Sequence, residues 1–568
     1  MTLTSCGSKE MTYKDPNAPI EDRVEDLLSR MTLEEKLSQM SHIHGGTFIK
    51  NGVVDYTNLD ELLKNGGGFV ETLLLSSEEC YKTMNYIQEY MLTQTRLGIP
   101  IFTVTESLHG SVQDGSTIFP QAIAMGSTFN PELINSMSKA IGKELYSQGV
   151  RQSLTPVLDV GRDLRWGRIE ECFSEDPFLV SRIGAAQVDG YLGSGVSPMI
   201  KHFGAHAEPT GGLNLSSVSC SERELRDIHI KPFEYVVKNC KPWAVMSSYN
   251  SCNNVPNSGS KELMTTILRD EWGFEGYIYS DWGSIGMLNY FQRVAQNSAE
   301  AAILALTAGI DVEASSDCYT EIPNLIAKGL LDEKYVDTAV RRILRAKFAM
   351  GLFEWQPTTE EMNQTVNNAE HIALARTIAE ESIVLMQNNK GLLPLDLNTI
   401  KSIALIGPNA DQIQFGDYTW SRDNADGVTI RKALEQSIGD KVQINYAQGC
   451  ELVSRDKSGF AQAIQAAKRS DVTIVVIGSA SASLARDYSN ATCGEGFDLH
   501  DISLTGVQEE LVRELHKTGK DVIVVLLAGK PFAMPWIKDN IATVVTQWYS
   551  GEQGGHALAD VLTGAVNP

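Results

Sequence analysis

Between about residues 20 and 353, short apolar runs alternate with longer stretches of helical period. That alternation predicts βα units built around a parallel sheet. The polar residues that end the apolar runs carry more information. The run at 99–105 leads into Glu106, that at 153–160 contains Asp159, and that at 197–200 meets Lys201 and His202. Further on, 243–249 ends at Tyr249 and Asn250, 276–280 at Asp281, and 309–315 carries Glu313. A parallel strand covered on both faces is apolar throughout and presents reactive groups only at its C-terminal end. Six such endings in order predict a (β/α)8-type TIM barrel with its active face at those ends. Polar loops after strands would account for one or two of them.

A helix over 340–354 closes this region, and the polar stretch after it reads as a linker. From Ile372 a second α/β pattern begins, with one long helix over 373–386 and strands at 402–407, 442–446, 472–478, 522–529 and 542–548. These predict a smaller α/β/α sandwich on an open sheet. The expected division is a lipoprotein-like segment without fixed structure at 1–16, a catalytic barrel at 17–355, a linker at 356–371 and the sandwich at 372–568. No G-x-G-x-x-G follows any of these strands, which disfavours a nucleotide site.

Composition narrows the chemistry. The net charge of −23, from 71 acidic and 48 basic residues, repels phosphate backbones, so nucleic acid is not an expected partner. Nine cysteines without a C-x-x-C pair or a histidine-flanked cluster argue against zinc and against a complete disulfide framework. No cofactor and no metal are expected. Leu3-Thr4-Ser5-Cys6 looks like a bacterial lipoprotein box, which would make Cys6 a lipid anchor and place the protein in the periplasm or at the cell surface. A homodimer is left open.

Cleaving a glycosidic bond with retention takes one carboxylate as nucleophile and one carboxylic acid as proton donor. Asp281, at a strand end beside Trp282, suits the first role, although an aspartate there is more commonly a helix N-cap. Its surroundings, GFEGYIYSDWG, resemble the nucleophile segment of the family 3 glycoside hydrolases. ESLHG, RDLRWGRIEECFSEDP, KHF, VMSSYN and LRDEWGF are similar to that family's barrel blocks, in the same order. LARTIAEESIVLMQNNKGLLPL and WYSGEQGGHALADVLTG look like parts of its second domain, so the likeness spans roughly 17–568.

The resemblance implies a retaining, exo-acting β-glycosidase that takes an oligosaccharide or other β-glycoside as substrate, with Asp281 as nucleophile; a catalytically impaired sugar-binding homologue on the same scaffold is the alternative. It implies a first sugar subsite formed by Glu106, Arg168, Lys201, His202 and Tyr249, with Trp282 as sugar platform or packing. The acid/base is implied to come from the second domain, on a loop resembling NATCGEGFDLHDISLTGVQEEL, which gives Glu495 the role. Without the resemblance, Glu495 reads as a surface residue in a glycine-flanked loop. The family commonly has arginine where Leu499 stands. The Asp-Ser-His loop of its N-acetylglucosaminidases is missing after KHF, although His206 remains. Glu106, where many glucosidases of the family carry aspartate, would crowd the hydroxymethyl of glucose and favour xylose by at most about 1–3 kcal/mol. The family usually continues beyond Pro568, so the second domain is expected to lack its last element.

Overall fold

The computed structural model describes residues 11–482 and 490–568, so Cys6 lies outside the described residues. Seven parallel strands form the first sheet, in the ring order β1 to β7. They are β1 (His42–Ile43), β2 (Phe69–Glu71), β3 (Phe102–Thr105), β4 (Gln152–Ser153), β5 (Ser197–Phe203), β6 (Ala244–Ser247) and β7 (Tyr277–Tyr279). Val312 bridges Tyr279 of β7, and Glu313 bridges Ser41 beside β1, which closes the ring with an eighth stave. The barrel expected from the strand endings is therefore present.

The interior below the active face is filled, not open. Phe69 packs on Phe102, Tyr277 and Tyr279 with ring centroids 5.2–5.4 Å apart, at the separations aromatic pairs prefer. The outer helices start where the sequence places cap residues. Asn130 caps Pro131–Ser147 and Asp176 caps Pro177–Leu192, each followed by a proline in the first turn.

The second sheet has the order β8-β13-β12-β11-β9-β10. Its strands are β8 (Val384–Asn388), β9 (Ser402–Ile406), β10 (Gln443–Ala447), β11 (Val472–Gly478), β12 (Asp521–Leu527) and β13 (Thr543–Gln547). Five of them lie at the expected positions. The long helix expected over 373–386 is corrected: it ends at Glu381, and Val384–Asn388 runs antiparallel to β13 as an edge strand. Helical period fails there because Ile383 and Val384 are β-branched and favour a pleated, half-covered surface. β11 and β12 are buried almost end to end, with apolar layers on both faces. Among the described residues no helix is long and apolar enough to cross a membrane.

Candidate active site

The site lies where the strand ends of the barrel meet two loops of the second domain. Asp281 follows β7 and is buried. Its Oδ1 accepts the Trp282 N–H at 2.8 Å, while Oδ2 lies 4.0 Å from His202 Nε2 and has no geometric hydrogen bond among the described residues. Burial pushes the Asp281 carboxyl up to about 7, the Arg168 charge opposes this, and the Glu495 charge adds to it. One oxygen is thus fixed by the backbone.

The 3-10 turn Gly167–Glu171 supplies the central cation. Arg168, 1% exposed, donates from Nε and Nη2 to the two oxygens of Glu171 at 2.7 and 2.8 Å. Its Nη1 donates to Glu495 Oε1 at 3.0 Å, and Nη2 to His202 Nε2 at 3.0 Å. Because His202 Nε2 accepts, its proton sits on Nδ1 and goes to Asp159 at 2.7 Å. Burial and the neighbouring Arg168 hold that imidazole neutral, well below its ordinary pKa. His202, placed in the sugar subsite by the resemblance, spends its donor on Asp159 and its acceptor on Arg168, and it makes no hydrogen bond to Asp281.

Lys201 holds a further carboxylate, Glu106. Its Nζ donates to both oxygens of Glu106 at 3.1 Å and lies 5.1 Å from the Tyr418 ring centroid. Burial raises Glu106 to about 7 against the pull of Lys201. Tyr249 is held protonated well above its usual pKa by burial and by the negative charge of Asp281 and Glu495. The Trp282 ring is half-buried, 4.9 Å from that of His42.

Glu495 comes from the other domain. Tyr418 donates its hydroxyl to Glu495 Oε2 at 2.6 Å, and the Glu495 N–H goes to Asp417 at 3.0 Å. Its side chain is 31% exposed, in contrast to the enclosed Asp281. The candidates named from sequence therefore converge on one cleft, with Arg168 and His202 between the two carboxyl groups.

Sequence reasoning missed Glu171, Asp417 and Tyr418. Glu171 sits within the quoted RWGRIEE block, one turn from Arg168, and that spacing was the available signal. Asp417 and Tyr418 lie in a loop without periodicity, and Tyr418 holds φ 59°, which only the structure reveals. Glu313, whose strand ending was noted, turns away to accept the N–H groups of Cys318 and Tyr319 at 2.9 and 2.8 Å. His206 is buried 5.0 Å from Trp166 and His202, with its pKa lowered to about 3 by burial. Away from this cleft, Glu208, Glu224 and His229 bring ligand-type atoms within 4.8 Å of one another, with Arg162 3.5 Å from Glu208 and 3.8 Å from Glu224.

Two carboxyl groups brought together at a barrel mouth amid cations and phenols are the equipment of a glycoside hydrolase. Residues 32–346 match the glycosyl hydrolase family 3 N-terminal domain and 383–568 its C-terminal domain. The chain belongs to glycoside hydrolase family 3 and is a β-glycosidase. It is 40% identical over 503 residues to a β-xylosidase of Formosa agariphila, covering 83% of this chain and 68% of the relative. It is 30% identical over 584 residues to the periplasmic β-glucosidase of Salmonella typhimurium, covering 96% and 72%. Among solved structures, the β-glucosidase EmGH1 of Erythrobacter marinus superposes with a TM-score of 0.91 at 31% identity, over 98% of this chain and 78% of that one.

Proposed function

We propose that the enzyme is a retaining, exo-acting β-glycosidase that releases terminal β-D-glucosyl or β-D-xylosyl residues from the non-reducing end of oligosaccharides. Asp281 is the nucleophile, attacking the anomeric carbon through Oδ2 while the Trp282 N–H holds Oδ1. Glu495 protonates the departing oxygen and then, as carboxylate, draws a proton from the water that hydrolyses the glycosyl-enzyme. The observation that carries this is the grouping of both carboxyl groups around Arg168: its guanidinium donates to Glu495 at 3.0 Å and to His202 Nε2 at 3.0 Å, and that nitrogen lies 4.0 Å from Asp281 Oδ2. Lys201 and Glu106 form a donor–acceptor pair for hydroxyls of the bound sugar.

Xylose as the main sugar is the second reading. It is favoured by the extra methylene of Glu106 and by the 40% identical relative named as a β-xylosidase. Parallel assays on p-nitrophenyl β-glucoside and β-xyloside, with the first-formed sugar followed by proton NMR, test both. The β-anomer appearing first supports retention; the α-anomer first, or no turnover of either substrate by folded protein, overturns the proposal. A lipid anchor at Cys6 is proposed as well, tested by palmitate labelling of the protein in cells.

A further inference from the structure

The acid/base sits on the second domain, yet its nearest neighbours along the chain are tied to the barrel. Gly167 grips the loop on both sides of Glu495. Its carbonyl accepts the Gly494 N–H at 2.8 Å, and its own N–H goes to Asp498 Oδ1 at 2.7 Å. The second oxygen of Asp498 accepts the Asn214 N–H at 2.7 Å. Leu499 adds a further rung, donating its N–H to the Arg165 carbonyl at 2.8 Å. Two barrel loops are joined in this way. One carries Arg168, the partner of Glu495, and the other leads away from Lys201 and His202. Trp166 braces them by donating from its indole to Asn214 Oδ1 at 3.0 Å.

The approach is too close for any side chain at 167. A Cβ there would lie 2.1 Å from the Gly494 carbonyl oxygen and 2.9 Å from backbone atoms of Phe497. Both are main-chain atoms that cannot rotate away, so the loop itself would have to retreat. An ionised carboxylate is suited to the other contact because it accepts two N–H groups at once and donates nothing.

We infer that Asp498 is a positioning residue for acid/base catalysis, a carboxylate latch that registers the second-domain loop on Gly167 and Asn214 and so sets the reach of Glu495 over the scissile bond. This rests on Glu495 being the acid/base. Both oxygens of Asp498 are taken up by backbone N–H groups, so it acts through the placement of Glu495. Asparagine at 498 keeps one acceptor and turns an amide toward the other N–H, so it retains part of the latch.

The test uses the leaving group as the readout. Departure of 2,4-dinitrophenolate needs no proton, whereas departure of an alkyl alcohol depends on one. For Asp498→Ala and Gly167→Ala, kcat/KM on an alkyl β-glycoside should fall about 10²-fold, the cost of displacing a catalytic group by about 1 Å. On the dinitrophenyl glycoside kcat/KM should change little, and Asp498→Asn should lie between. Azide, which replaces the general base in Glu495→Ala, should partly rescue turnover of the dinitrophenyl glycoside by Asp498→Ala. Equal losses on both substrates, with melting curves lowered to match, would mean a structural role and overturn the latch; so would no loss on either. Glu495→Ala serves as the control. If it too lacks leaving-group dependence and azide rescue, the acid/base assignment falls and the latch with it; if only the Asp498 and Gly167 variants lack them, the latch alone falls.

Discussion

Replacing Arg168 by methionine removes the cation from between the two carboxyl groups while keeping an unbranched side chain. The structure sets the size of the effect. Four hydrogen bonds of 2.7–3.0 Å are lost, and Glu171, 1% exposed, is left without its bidentate partner. Breaking a buried pair from one side costs about 3–5 kcal/mol, so the denaturation midpoint in urea should drop clearly at pH 7. The catalytic signature is separate from that loss. Arg168 is the largest influence opposing the burial that raises Asp281 to about 7. Without it Asp281 takes up its proton at higher pH, and less of the enzyme holds an ionised nucleophile at neutrality. The acid limb of kcat/KM, which reports the free enzyme, should therefore move to higher pH in Arg168→Met and less so in Arg168→Lys. Initial rates on an aryl glycoside from pH 4.5 to 9, on protein shown to be folded at each pH, measure it. An acid limb that stays in place or moves to lower pH would refute the reasoning.

Three further outcomes follow from the same geometry. Asp281→Ala should lose at least about 10⁴-fold in kcat, the scale set by removing a catalytic nucleophile, and a residual rate near wild type would exclude it. Glu106→Asp should raise the ratio of glucoside to xyloside kcat/KM, within about a 200-fold ceiling for one methylene; a fall in that ratio contradicts the crowding idea. Burial raises Glu106, Asp159 and Asp281 to about 7, 8 and 7, against about 4 in an unfolded chain. The folded protein then binds more protons than the unfolded one between about pH 4 and 8. Their stabilisation is full below that window and is lost as pH rises through it. The melting temperature of the unliganded enzyme should fall from pH 5 to pH 8, with a smaller fall in Asp159→Asn, and an unchanged slope in that variant would count against the assignment.

What the sequence revealed and what it hid have physical causes. The staves β3 to β7 and the closing segment were legible because buried parallel strands are apolar until a functional side chain interrupts them, as at Glu106, Lys201 and Asp281. β1 and β2 left no such mark, since His42–Ile43 is two residues long and Phe69–Glu71 follows three glycines. Asp281 on its own could not be told from a helix cap, and only the ordered blocks around it raised it. Glu495 was harder still, because a carboxylate delivered across a domain boundary has no local pattern. Its supports, Tyr418, Asp417 and Asp498, are far apart in sequence or lie in loops, and their roles rest on contacts 77, 78 and 331 residues apart along the chain.

If Asp281 is the nucleophile, it forms a covalent bond to the sugar, and that bond can be trapped. The enzyme should be inactivated with the 2,4-dinitrophenyl 2-deoxy-2-fluoro-β-glycoside of whichever sugar it turns over, digested, and read by tandem mass spectrometry. One fluoroglycosyl group per chain is expected, carried on Asp281. An adduct on another carboxylate, or time-dependent inactivation absent while the inhibitor still binds, would contradict it.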